Sequence, residues 1–271
     1  MLDRSKVMRE LSTVADKLFV DFSAEYELVK ELWQKIASDP TFSYKLKSVD
    51  APWLLPTWQG KLDDHVAISQ DPFIYSVVSV DGSQIYPDRH QGTSCFLVNI
   101  GIVELHYGAA KPVGLATIPY VFAGSDSEHS QIEASADLVN CKRQELEFEI
   151  GLERALQLLQ SQQDVPQLML FDGSLIFWHL ESKDQAIRDT FLGSYLALLQ
   201  KFYEHDLLIA GYISLPKNKE LVNLLRVSLC DFVVDECTAY KEVDHAVDTT
   251  IARSYLPEFS RSIIFESHSN I

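Results

Sequence analysis

Asp81-Gly82-Ser83 and Asp172-Gly173-Ser174 are two copies of one tripeptide, and each directly follows a short apolar run. Tyr75 to Val80 precedes the first copy and Leu168 to Phe171 the second, so each aspartate is expected at the C-terminal tip of a buried strand. Glycine after the aspartate allows a sharp turn and lets a ligand come close to the carboxylate. If the two strands are sheet neighbours, both carboxylates converge at one edge. They repel each other unless a cation lies between them, and hard divalent cations prefer oxygen ligands. Between the copies lies Arg143-Gln144-Glu145-Leu146-Glu147-Phe148-Glu149. A glutamate from this segment would complete an Asp, Glu, Asp set able to hold one or two Mg²⁺ or Mn²⁺ ions, the requirement for metal-assisted hydrolysis at a scissile phosphate.

The elements that must position these groups follow from periodicity. Apolar residues at Val7, Leu11, Val14, Leu18 and Phe22, then at Val29, Leu32, Trp33 and Ile36, have helical spacing, so residues 3–37 are expected to form one long helix or a helical pair. Asp39-Pro40 ends it, and the stretch to about residue 72 reads as an irregular connector. Ile74 to Val80, Thr93 to His106 and Gly114 to Val121 read as three antiparallel strands. After a polar loop from Gly124 to Ser130, Ala134 to Gln160 is a helix with no proline. A strand from Leu168 to Phe171, a helix over Gln185 to His205, a strand from Leu207 to Ser214 and a short helix near Asn218 follow; Phe232 to Val234 is a further strand candidate. The expected fold class is α/β: a mixed β-sheet flanked by helices, with an N-terminal helical arm. The expected division is 1–72 for the arm and connector and 73–271 for the main domain.

Charge and composition narrow the function. The formal net charge is −16, which excludes a surface that attracts nucleic acid over its whole extent. A nucleic-acid substrate would be met locally, or through metal ions and a partner. The N-terminus is charged at once at Asp3, Arg4 and Lys6, with no apolar run of membrane-spanning length, so neither a signal peptide nor a membrane span is expected and the setting reads as cytoplasmic. Cys95, Cys141, Cys230 and Cys237 lack zinc-type spacing and are expected as free thiols.

The order of strand-Asp-Gly-Ser, antiparallel strands, helix with Arg-x-x-x-Glu, and apolar strand-Asp-Gly-Ser-Leu resembles the NurA nucleases. Gly211-Tyr212-Ile213-Ser214 and the run from Asp248 to Arg261 also resemble segments of that family. The resemblance implies an RNase H-like core and a Mn²⁺-dependent DNA nuclease, with Mg²⁺ as the alternative metal. It further implies a 5′ to 3′ polarity, action on single- and double-stranded DNA in end resection with a HerA-type hexameric ATPase, and a homodimer. By the same resemblance Asp81 and Asp172 are metal ligands and catalytic residues, and the Arg-x-x-x-Glu pattern, read from Arg143, selects Glu147. Helical geometry keeps Glu145 open beside it, since Glu145 shares a face with Phe148 and Leu152 whereas Glu147 points along the face of Gly151 and Arg154. The family usually continues past the position of Ile271 with a segment containing a histidine that serves the active site, and His268 is the residue that would stand in for it.

Other features have plainer readings. Lys217 and Lys219 are either phosphate contacts or solubilising charges. Tyr86, Arg89 and His90 form a loop after the first Asp-Gly-Ser, and Trp53 and Trp58 read as packing anchors. His90, His106, His129 and His179 have no mutual spacing of a ligand set. Two further functions fit the same pattern: a catalytically weak module that docks its acidic surface on a basic ATPase, and a phosphatase acting on small phosphoesters.

Overall fold

The computed structural model describes residues 3–18, 21–69, 74–87, 95–123, 135–161, 165–235 and 237–267. His90, Arg89, His129 and His268 lie outside the described residues. In chain order the elements are α1 (Arg4–Leu18), α2 (Ser23–Ser38), α3 (Phe42–Leu46), β1 (Thr57–Trp58), β2 (His65–Ala67), β3 (Tyr75–Ile85), β4 (Phe96–Tyr107) and β5 (Gly114–Phe122). There follow α4 (Ala136–Ser161), β6 (Gln167–Asp172), α5 (Gln185–Glu204), β7 (Leu208–Tyr212), α6 (Glu220–Leu229), α7 (Asp248–Tyr255), β8 (Ser260–Ser262) and β9 (Phe265–Glu266). The expected helical pair is therefore α1 and α2, and α2 stops at Asp39. No helix among the described residues is long and apolar enough to cross a membrane.

Contacts divide the chain into two compact units, and the division differs from a cut at residue 72: residues 1–70 join 215–271 in one unit, and 71–214 form the other. The reason is apolar pairing over a long sequence distance. Val29, Leu32, Trp33 and Ile36, spaced to share one face of α2, bury against Val222, Leu225 and Ile251. The Trp33 ring stacks on Tyr255 at 5.2 Å. The stretch expected as an irregular connector contains β1 and β2, which pair antiparallel with β9 and β8. Trp53 and Trp58 are packing residues: Trp53 meets Tyr240 edge-on with the Arg226 guanidinium over its ring, and Trp58 packs near Phe42 and Phe265. Asp248 caps α6 from a distance, its carboxylate accepting from the backbone N–H groups of Glu220, Leu221 and Val222. Lys219 donates to the carbonyl of Asp244.

Two expectations fail in this unit. Cys230 and Cys237 form a disulfide, whereas Cys95 and Cys141 are the free thiols. Asp231 and Phe232 both adopt left-handed backbone, with φ 47° and 65°, and reverse the chain after α6 so that the two sulfurs meet. The same reversal removes the strand expected over Phe232 to Val234, since a strand needs extended backbone throughout.

The second unit is a five-stranded mixed sheet in the order β5-β4-β3-β6-β7. β5, β4 and β3 are antiparallel neighbours, and β3, β6 and β7 run parallel. Alternation explains which face is covered: Ser76, Val78 and Val80 of β3 and Met169 and Phe171 of β6 are buried on the helical side. α4 packs there closely because Gly151 leaves no side chain against Met169 and Phe171, where a Cβ would come within 3.0 Å. Phe148 lies on Phe171 at 4.4 Å between ring centroids. On its other side α4 meets α5, where the buried Tyr195 hydroxyl donates to the Cys141 carbonyl at 2.7 Å.

Candidate active site

The first Asp-Gly-Ser departs from the expected turn. Strand β3 runs straight through it, with Asp81 opposite Gly101, Gly82 opposite Ile100 and Ser83 opposite Asn99 on β4. Pairing with the longer β4 carries β3 on to Ile85, beyond the point where its parallel partner β6 stops. The second copy does turn: β6 ends at Asp172 and Gly173 takes φ +103°. The Gly173 N–H donates to the Tyr212 carbonyl at 2.7 Å. Gly211 permits that approach, since a Cβ there would stand 2.5 Å from the Gly173 carbonyl oxygen.

The parallel register pairs Val80 with Phe171, which sets Asp81 and Asp172 side by side one residue further on. Both are exposed. By strand alternation they project from the face opposite the α4 side, so a helix residue reaches them only where no side chain stands between. Gly82 supplies that place. A Cβ at Gly82 would lie 2.6 Å from Arg143 Cγ and 2.7 Å from Glu147 Oε1. Through this gap Glu147 Oε1 accepts the Gly82 backbone N–H at 2.9 Å and Arg143 Nη1 at 2.9 Å. Arg143 Nη1 also donates to the Gly82 carbonyl at 3.1 Å and stands 3.9 Å from Asp81 Oδ1.

Glu145 goes elsewhere. Its carboxylate takes Lys142 Nζ at 2.5 Å and the Ser194 hydroxyl of α5. Both glutamates are buried because α4 is covered on two sides, by the sheet and by α5, so a single apolar face does not describe this helix.

Burial raises the Glu147 carboxyl to about 7, helped by the negative charges of Asp81 and Asp172 and opposed by Arg143 and the Gly82 N–H. That field marks the three carboxylates as one electrostatic group. They line a cleft of about 540 Å³ together with Arg143, His179 and Lys183. Partial burial and the nearby Lys183 and Arg143 charges push the His179 imidazole below its ordinary value. Tyr86 is bound up in local structure: its hydroxyl donates to Asn140 Oδ1 at 2.7 Å and accepts from Gln84 Nε2 at 2.8 Å, tying the end of β3 to α4.

His106 accepts from or donates to the Ser76 hydroxyl at 2.8 Å, away from the carboxylates. Sequence reasoning passed over Arg143 as an ionic partner of the carboxylates, and it passed over His179 and Lys183. The Arg-x-x-x-Glu spacing was the available signal for Arg143, since positions four apart share a helix face.

The donor set fits a hard divalent cation by chemistry, because all three side chains offer carboxylate oxygens to one cleft and their mutual repulsion is what a cation relieves. Among the described residues no group of three such side chains is already gathered as a metal-holding set.

The NurA domain family matches residues 75–271. No curated protein matches the chain. Among solved structures, LC11-RNase H1, isolated from compost by a metagenomic approach, is similar at 11% identity and TM-score 0.29 over 52% of this chain and 86% of its own. LC9-RNase H1, a type 1 RNase H with the type 2 active-site motif, is similar at 13% identity and TM-score 0.29 over 70% and 88%. Thermus thermophilus RuvC is similar at 13% identity and TM-score 0.23 over 66% and 94%. Scores this low carry no weight by themselves. The family match spans most of the chain and includes both Asp-Gly-Ser copies and the helix between them, and on that match the chain belongs to the NurA family.

Proposed function

We propose that the chain is a metal-dependent nuclease that hydrolyses DNA phosphodiesters, with Asp81, Glu147 and Asp172 holding the metal. The observation that carries this reading is the convergence of three carboxylates on one cleft from β3, α4 and β6. Family membership supports a nuclease. When bound, Mn²⁺ or Mg²⁺ would neutralise the scissile phosphate and activate a water at neutral pH.

The chain's own residues prepare the place. Asp81 and Asp172 present exposed carboxylates side by side, held by two hydrogen-bonded strands. Glu147 is fixed from the other side by the Gly82 N–H and by Arg143, both on Oε1. Arg143 offsets part of the repulsion among the carboxylates and places a positive charge where an anionic substrate approaches. With a net charge of −16, the rest of the surface gives DNA little general attraction, so substrate delivery by a partner accords with composition. The family resemblance supports the finer assignments: Mn²⁺ as the preferred metal, 5′ to 3′ degradation or single-strand endonuclease action, end resection in double-strand break repair with a HerA-type ATPase, and a homodimer in the cytoplasm.

The test is cleavage of end-labelled single- and double-stranded DNA with Mn²⁺, Mg²⁺ or EDTA, by the wild-type chain and by Asp172→Ala. Metal-dependent degradation that the variant loses supports the reading. Degradation that persists in EDTA or in the variant refutes it.

A further inference from the structure

The cleft has a second wall, built from residues 174–183 between the Gly173 turn and α5. Ser174, Ile176, Trp178, His179 and Lys183 reach the cleft from this segment. Its chemistry is unlike that of the carboxylate wall and unlike the chain as a whole. Asp and Glu outnumber Lys and Arg 39 to 23 in the sequence, yet this cleft brings Arg143 and Lys183, with His179, to the three carboxylates.

The three basic groups are differently engaged. Arg143 is turned toward Glu147 and Asp81. Lys183 Nζ is held at the cleft by Asp137 Oδ1 at 2.7 Å, a partly exposed pair that leaves the ammonium further donors for a second acceptor. His179 precedes it by four residues and is exposed to solvent at the same wall. A fixed ammonium and an imidazole lining the same cleft as the carboxylates suit an anion that lies beside the reacting group. On a nucleic-acid strand that anion is the next phosphate along, because phosphate contacts set a strand's position without reading its bases.

We propose that His179 and Lys183 are positioning residues that hold the backbone phosphate adjacent to the one attacked, an inference that rests on the nuclease reading above. Lys183 supplies the charge and His179 a neutral hydrogen-bond donor, consistent with the lowered imidazole pKa. Together they set the register of the strand over Asp81 and Asp172.

The experiment uses the full chain and a fluorescent single-stranded oligonucleotide. Binding is followed by anisotropy across a salt series with Ca²⁺, and cleavage is followed with Mn²⁺. The variants are Lys183→Gln, Lys183→Arg, His179→Gln and, as an equal charge change away from the cleft, Lys201→Gln. Lys183→Gln is expected to raise KM about tenfold with kcat little changed, and to flatten the logarithmic salt slope by about 0.7. His179→Gln is expected to raise KM less and to leave the salt slope alone. Lys183→Arg is expected to restore both readouts. Equal melting temperatures for wild type and variants keep the KM effect apart from loss of folding. If Lys183→Gln matches Lys201→Gln in KM and slope while the wild type cuts DNA, the clamp is wrong and the nuclease reading stands. If the wild-type chain neither binds nor cuts DNA, the nuclease reading fails and the clamp fails with it.

Discussion

In the first Asp-Gly-Ser copy the glycine sits inside an eleven-residue strand, whereas in the second it follows a six-residue strand and takes φ +103°. Gly82 is there for room: side-chain atoms of Arg143 and Glu147 occupy the space a Cβ would need. Gly173 is there for conformation: nothing lies within 4 Å of its hypothetical Cβ, but few other residues adopt its backbone angles without strain. One tripeptide thus serves two physical requirements. The difference matters because the first copy admits the helix residue that completes the carboxylate group, and the second only ends a strand at the right residue.

The largest effect expected from this contrast comes from filling the room at Gly82. Gly82→Ala should push the Glu147 carboxylate off the backbone N–H and lower DNA cleavage by about a hundredfold, on the scale of a misplaced catalytic group. Gly173→Ala should cost about 1–2 kcal/mol of stability in a melting experiment and keep cleavage within about tenfold of wild type. Equal losses of activity in the two variants would dissolve the contrast.

Gly211→Ala attacks the second copy from its partner strand. The new Cβ would meet the Gly173 carbonyl at 2.5 Å, and backbone cannot swing aside as a side chain can. A loss of about 2–3 kcal/mol on denaturant unfolding is expected.

The protonation of Glu147 gives a third handle on the first copy. Its carboxyl is raised from 4.5 to about 7 in the folded chain. The folded state therefore keeps a proton that the unfolded state releases, and metal-free stability falls as pH rises through that interval, by up to roughly 3 kcal/mol. Below about pH 4.5 both states are protonated and the fall disappears. Melting in EDTA at pH 5 and pH 8 should show this decline in the wild type and its loss in Glu147→Gln.

The smallest effect belongs to Ser174, whose Oγ accepts the Ile176 N–H at 3.0 Å in the turn. Ser174→Ala should lower stability by about 0.5–1.5 kcal/mol, measured by thermal melting, with cleavage nearly unchanged.

How far the sequence could be read depended on whether a feature was local. Strand β6 was legible to within a residue at each end, Leu168 to Phe171 against Gln167–Asp172, because a short apolar run between turn residues is a local signal. The α4 helix was legible for the same reason, as an unbroken stretch without proline. The continuation of β3 past Asp81 was not, because the decision rests with its β4 partners, from Ile100 opposite Gly82 to Leu97 opposite Ile85, which lie outside any local window. Nor could the sequence show that 215–271 folds with 1–70, since Val29 and Trp33 do not indicate which distant helix will bury them. The disulfide was hidden by a chain reversal at Asp231 and Phe232, neither of which is a glycine. The choice between Glu145 and Glu147 stayed open because helical periodicity assigns one buried face, and α4 has two. Two burials on one helix are a tertiary fact.

Mn²⁺ titration calorimetry on the wild type, Glu147→Gln and Glu145→Gln asks which carboxylates hold metal without requiring the right DNA substrate. Binding is expected in the wild type and in Glu145→Gln, with loss or weakening by at least about tenfold in Glu147→Gln. Wild-type binding that survives in Glu147→Gln and disappears in Glu145→Gln would contradict the site described here.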